Sequence, residues 1–272
     1  VTSIDASTSR AGRLRRWRTG SRRLEAVAYA VITREAGAAA RYAGALASLG
    51  LEIVALPVTR SEPARDPDVL RRALATGGYA AIVVASARAA EALHAARGAS
   101  ALAEVWAVGP ATARALRDAG IAAEVPATAR DGVALAEALI ARRALAGRRV
   151  LVPRAEDGRD DAIERLRAAG AEVDAITAYR TVAVAADAPA LAPGLALLRG
   201  GGAAVCALFA PSQVAALDAL VPLRTIAAPL VAIGETTAAA LRAAGVATVA
   251  VADAPTPEGL AKAVSAVYPL RL

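Results

Sequence analysis

The segment AVGPATARALRDAG at residues 107–120 returns as AIGETTAAALRAAG at 232–245, with nine of fourteen letters identical. A repeat of this length constrains the fold strongly, because both copies must satisfy the same local geometry. The likeness runs further. VITR at 31–34 matches LVPR at 151–154, and Gly50 matches Gly170. Ser86 in AAIVVASARAAEAL answers Ser212 in AAVCALFAPSQVAAL, and Gly132 answers Gly259. The body of the chain is two copies of one pattern.

That pattern alternates short apolar runs with amphipathic stretches. Strands are predicted at 27–33, 51–57, 80–86, 104–109, 122–126, 148–153, 171–179, 203–210, 229–234 and 247–252. Helices fall between most of them, as in REAGAAARYAGALASLG, SARAAEALHAARG, TARALRDAG and EDGRDDAIERLRAAG, several closing on glycine. Strand and helix in alternation imply an α/β fold with parallel sheets covered on both faces. Ten short strands divide more naturally into two five-stranded sheets than one. Two such sheets would face each other across a cleft, and ligands in open α/β sheets bind beyond the carboxyl ends of the strands.

Composition narrows the chemistry. The single cysteine, Cys206, lies in the apolar run AAVCALFA; it permits no intramolecular disulfide and reads as a buried thiol. The single histidine, His94, falls on a surface-type helix, so neither a histidine-containing triad nor a metal centre is expected. Of the net charge of +7, residues 1–23 carry +6, through seven arginines and the lone acid Asp5. That stretch reads as a disordered basic tail, and the near-neutral remainder gives no reason to expect a nucleic-acid partner. No apolar run reaches the ~18–20 uncharged residues of a membrane span. Glu25 interrupts the only leader-like stretch, so neither a membrane partner nor export is read, and the cytoplasm is the expected location. Abundant alanine and a single lysine, Lys262, fit the coding bias of a GC-rich bacterial genome.

The repeated elements fall where strands turn into helices. Ser86 and Ser212 are placed as N-caps, while Thr112, Thr236 and Thr237 offer hydroxyls beside free backbone N–H groups. Helix N-termini favour anions, so four such junctions on two sheets imply a polyanionic ligand that spans both. Neither G-x-x-x-x-G-K-[ST] nor G-x-G-x-x-G occurs, which disfavours a nucleotide.

Taken in order, VITRE, GYAAIVVASARAAEAL, VWAVGPATARAL, RVLVPRAEDGRDDAIERLRAAG, AITAYRT, FAPSQV, VAIGETTAAAL and APTPEGLAKAV resemble the uroporphyrinogen-III synthase family over about residues 26–268. The resemblance implies two flavodoxin-like lobes joined by a two-stranded antiparallel linker. Residues 24–57 with 183–272 would form one lobe and 62–176 the other, with linkers at about 57–62 and 176–183. It also implies a cofactor-free lyase that dehydrates and cyclises hydroxymethylbilane, a linear tetrapyrrole with eight carboxylates, while inverting ring D. The expected enzyme is a monomer. Tyr179 matches the tyrosine that helps the substrate hydroxyl leave, and a phenol can donate a proton to a departing oxygen. Ser86, Thr112, Ser212, Thr236 and Thr237 match substrate-contact positions. Arg34, Arg88, Arg154 and Arg159 are candidate carboxylate partners. Ala85 and Ala210 stand where the family commonly has Thr or Ser. Those departures leave open a catalytically impaired, synthase-like regulatory protein, alongside a two-lobed anion-binding protein.

Overall fold

A computed structural model describes residues 27–268, so the expected basic tail lies outside the described residues. The chain opens with β1 (Ala28–Ile32), the short helices α1 (Ala36–Ala40) and α2 (Ala43–Ala47), and β2 (Leu51–Ala55). It continues through β3 (Thr59–Pro63), α3 (Asp68–Thr76), β4 (Tyr79–Val84), α4 (Ala87–Arg97), β5 (Glu104–Ala107) and α5 (Gly109–Asp118). Next come α6 (Gly132–Arg142), β6 (Arg149–Ala155), α7 (Asp161–Ala168) and the long β7 (Glu172–Ala183). The last stretch holds α8 (Ala192–Arg199), β8 (Ala203–Leu208), α9 (Pro211–Leu220), β9 (Leu230–Ala232), α10 (Glu235–Ala243), β10 (Val249–Val251) and α11 (Pro257–Val267).

Among the described residues ten strands form two five-stranded sheets, ordered β10-β9-β8-β1-β2 and β3-β7-β6-β4-β5. All pairs are parallel except β3 with β7. The sequence repeat explains the orders. VITR begins in β1 and LVPR lies in β6, so β1 and β6 correspond; β2 then answers β7, β8 answers β4, and β9 answers β5. The first sheet thus has the flavodoxin-like order, and β7-β6-β4-β5 of the second follow it over four strands, each with its topological switch beside the equivalent pair of central strands.

Period-two burial follows from the pleat. In β4, Ile82 and Val84 enter the core beneath α3, α4 and α5, whereas Ala81 and Val83 enter the core beneath α6 and α7. In β1, Val31 faces α8, α9 and α10, while Ala30 and Ile32 face α2 and α11. Gly120 and Gly245 end the two copies of the repeated helix at φ 67° and 84°, a left-handed conformation that glycine adopts without steric cost.

Two expectations need correction. Segment 122–126 is not a strand: it contributes one bridge, Trp106 to Glu124, where the other sheet has β10. Pro126, which has no N–H to donate, closes that segment. The fifth strand of the second sheet is β3, which overlaps the expected antiparallel linker at 57–62 and whose Glu62 faces Arg180 of β7. The stretch 34–50 is two five-residue helices, because the turn at Arg41–Tyr42 interrupts the periodicity.

Candidate functional site

At the carboxyl edge of the second sheet, β4 leaves through Ser86 in extended conformation. Its Oγ accepts the Ala89 N–H at 3.1 Å and caps α4. Such a cap contributes ~0.5–2 kcal/mol. The same oxygen lies 3.2 Å from the Tyr179 hydroxyl of β7. Tyr179 is fixed by the sheet on both sides, opposite Pro63 of β3 and Ala155 of β6, and its carbonyl accepts the Glu156 N–H at 2.9 Å. Tyr179 also lines a 310 Å³ cavity, together with Leu70, Ala92, Ala96, Glu62, Arg71 and Arg88. Hydrogen bonds from Arg60, assisted by Arg180, hold the Glu62 carboxyl below the usual carboxylate range.

The corresponding edge of the first sheet is built differently. Thr33, fully buried after β1, places its hydroxyl 2.9 Å from the Ala207 carbonyl oxygen and 2.8 Å from Gln213 Oε1. Gln213 Oε1 also accepts the Phe209 N–H at 2.8 Å. Phe209 packs on Tyr42 with ring centroids 5.0 Å apart, and the Arg34 guanidinium stacks 5.0 Å above the Phe209 ring. Beside it, a 590 Å³ cavity runs from Phe209 past Gly234, Thr236 and Thr237 to Asp253.

The candidate residues divide accordingly. Ser86 and Tyr179 meet. Thr236 is exposed on the cavity wall, but Thr237 and its repeat counterpart Thr112 are only 3% and 4% exposed. Ser212 is not an N-cap: Ala210 takes that position, Pro211 starts the helix, and Ser212 sits exposed in the first turn. Arg88 pairs with Glu91 at 3.4 Å and, across the two sheets, with Glu35 at 3.8 Å. Arg154 is engaged by Asp160, and the exposed Arg159 lies 3.7 Å from Asp161. Arg34 has no acidic partner among the described residues, and its guanidinium is stacked on Phe209. His94 is exposed on α4. Cys206 is fully buried, which pushes its thiol up to about 12. Among the described residues no group of His, Cys, Asp and Glu could hold a metal ion, and no helix is long and apolar enough to cross a membrane.

Sequence reasoning missed Thr33, Phe209 and Gln213. A signal existed: Gln213 stands three residues after the N-cap, the place from which Gln reaches back to free N–H groups. Ala210 in the cap position hid the pattern.

Two doubly wound sheets with equivalent carboxyl edges make this a duplicated α/β protein of flavodoxin-like type. A family model described as uroporphyrinogen-III synthase HemD matches residues 40–262, and the chain belongs to that family. The fold is similar to that of a mutant uroporphyrinogen III synthase from Thermus thermophilus, with TM-score 0.55 and 20% identity over 88% of this chain and 98% of that one. It is also similar to uroporphyrinogen-III synthetase from Helicobacter pylori, with TM-score 0.58 and 15% identity over 86% and 97% of the two chains. Among curated proteins the comparison finds no match.

Proposed function

We propose that the chain cyclises hydroxymethylbilane to uroporphyrinogen III, as a lyase that expels water and inverts ring D. The substrate lies between two lobes, residues 24–57 with 183–272 and residues 62–176, joined at about 57–62 and 176–183. The observation that carries this reading is the Tyr179 hydroxyl, held 3.2 Å from Ser86 at a strand end and beside a cavity. There a phenol can protonate the departing hydroxyl oxygen while the electron-rich pyrrole expels it. Arg34, Thr236 and the first turn of α10 receive substrate carboxylates on one side, and Arg88 on the other. Arg88 can exchange its exposed acidic partners for substrate at small cost, since exposed ion pairs are worth only ~0–1 kcal/mol. Catalysis is then chiefly positioning: the protein holds the linear chain in the curl that leads to the inverted ring. The reaction calls for no cofactor, and the enzyme acts as a cytoplasmic monomer.

One feature favours a second reading, a synthase-like protein with impaired turnover: α9 has no side-chain cap because Ala210 stands at its N-cap. One experiment separates the two. Enzymically generated hydroxymethylbilane is added and the uroporphyrinogen isomers are resolved by chromatography. Isomer III in excess over the spontaneous isomer I supports the synthase, and isomer I alone supports the impaired protein.

A further inference from the structure

We infer that Ser86 is a positioning residue for the Tyr179 phenol, coupling it to the N-terminus of α4, and is not a ligand of the substrate. The inference rests on the synthase reading, with Tyr179 as the acid.

A serine hydroxyl has one proton and two lone pairs. The Ala89 N–H occupies one lone pair of Ser86 Oγ, leaving the proton and the other lone pair for Tyr179 Oη at 3.2 Å. If Tyr179 donated to Ser86, its proton would be turned away from the substrate. If Ser86 donates to Tyr179, the phenol proton is free for the substrate. The bond received from Ala89 favours the second arrangement, because a hydroxyl that accepts a hydrogen bond becomes a better donor. The dipole of α4, an eleven-residue helix, adds positive potential at the same place. Among the described residues no other side chain lies within hydrogen-bond distance of Tyr179 Oη. Both backbones are fixed by secondary structure, Ser86 at the exit of β4 and Tyr179 between β3 and β6, so the alignment exists before substrate arrives.

The step balances. The Tyr179 proton passes to the substrate hydroxyl oxygen, and the C–O bond breaks with its electron pair leaving on oxygen as water. The positive charge left on carbon is delocalised onto the pyrrole nitrogen. The phenolate accepts the Ser86 O–H until the closing macrocycle releases a proton, which restores the phenol. Ser86 therefore acts on the charge that develops in the transition state more than on binding.

The test compares Ser86→Gly with Ser86→Thr. Glycine is tolerated at an N-cap, so Ser86→Gly removes the hydroxyl at little cost to α4. It should lower kcat roughly 10-fold with KM within about 2-fold, and Ser86→Thr should recover most of the loss. In a Tyr179→Phe background the same glycine should cost less than about 2-fold more, because the two residues act as one unit. Equal losses in both backgrounds, or a raised KM at unchanged kcat, would overturn the inference. A readout without turnover uses tyrosine labelled with 13C at Cζ, the Tyr179 resonance being the one absent from Tyr179→Phe. It should move in Ser86→Gly and return in Ser86→Thr. An unmoved resonance in an active enzyme overturns the coupling alone. Wild-type protein inert towards hydroxymethylbilane overturns the reaction, and this role with it.

Discussion

Gly259 and Ala254 approach so closely at the start of α11 that a Cβ on the glycine would lie 2.3 Å from the alanine carbonyl oxygen. At its repeat counterpart, Gly132, an added Cβ would meet Ala162 and Ala85 at ordinary distances of 3.5 and 3.6 Å. Gly259→Ala should therefore lower stability by about 1–3 kcal/mol, and Gly132→Ala should stay within about 1 kcal/mol of wild type. Urea unfolding of the two variants makes the comparison. A Gly259→Ala protein as stable as Gly132→Ala would show that the Ala254 peptide can shift without cost.

Tyr179→Phe keeps the ring and removes the hydroxyl. Turnover should fall by the ~10²- to 10⁴-fold typical of a positioned acid, less where the pyrrole's own push suffices. Product should shift towards isomer I as spontaneous closure overtakes the enzyme. Turnover within a factor of about two, with isomer III still dominant, would reduce Tyr179 to a packing residue.

Among the arginines, Arg34 and Arg159 should part company. Arg34 is stacked on Phe209 and faces no acid, so Arg34→Met should raise KM about 10-fold, as the loss of a charge-assisted hydrogen bond implies. Arg159 is exposed beside Asp161, and Arg159→Gln should change KM less than about 2-fold. Steady-state kinetics on both variants decide; equal effects would mean that the carboxylates are not received at the edge of the first sheet.

Asp174, Tyr79 and Arg149 form a cluster at the amino ends of β4, β6 and β7, with Tyr79 donating to Asp174 at 2.7 Å and Arg149 donating at 2.6 Å. The bond from Tyr79, reinforced by Arg149, holds the Asp174 carboxyl below its usual range. That stabilisation is present above the ordinary carboxylate pKa and fades as pH falls through the depressed one. Burial, then the bond to Asp174, pushes Tyr79 up to about 12 from 10.0, so its contribution is complete below 10 and is lost as pH rises towards 12. Urea midpoints measured against pH should fall less steeply in acid for Asp174→Asn, and less steeply between 10 and 12 for Tyr79→Phe. Profiles parallel to wild type at both ends would leave the cluster without a role in stability.

The repeat made the architecture legible. Matching VITR to LVPR is enough to pair β1 with β6, and the central order of both sheets follows. What escaped was decided by tertiary context. Residues 122–126 have the same short apolar character as the real strands, yet only one bridge forms there. TRSEP, at 59–63, overlaps the linker expected to pair with 176–183; its place as the edge of the second sheet was not legible, because it depends on β7 running on past the end of β6. ALPVTR reads as a connector, but Leu56 and Val58 are fully buried in the core of the first sheet. At the site, the hydroxyl positions could be read from strand ends, but the burial of Thr112 and Thr237 could not. That depends on how tightly each helix seats on its sheet.

The order of strands also sets a timetable for the newborn chain. The second sheet draws all its strands from one continuous stretch, β3 to β7, so every partner emerges from the ribosome in succession. The first sheet does not have that advantage. Its interior strand β1 is made early but must wait for β8, and the Thr33–Ala207 bond that marks their meeting joins residues 174 positions apart. At ~5–20 residues per second, that is a delay of roughly 10–35 s. Throughout it the β1–β2 pair carries an open, apolar edge while a neighbouring sheet assembles beside it. Molecular chaperones that shield exposed strands would meet this chain at one place above all, the side of β1 that β8 has not yet reached.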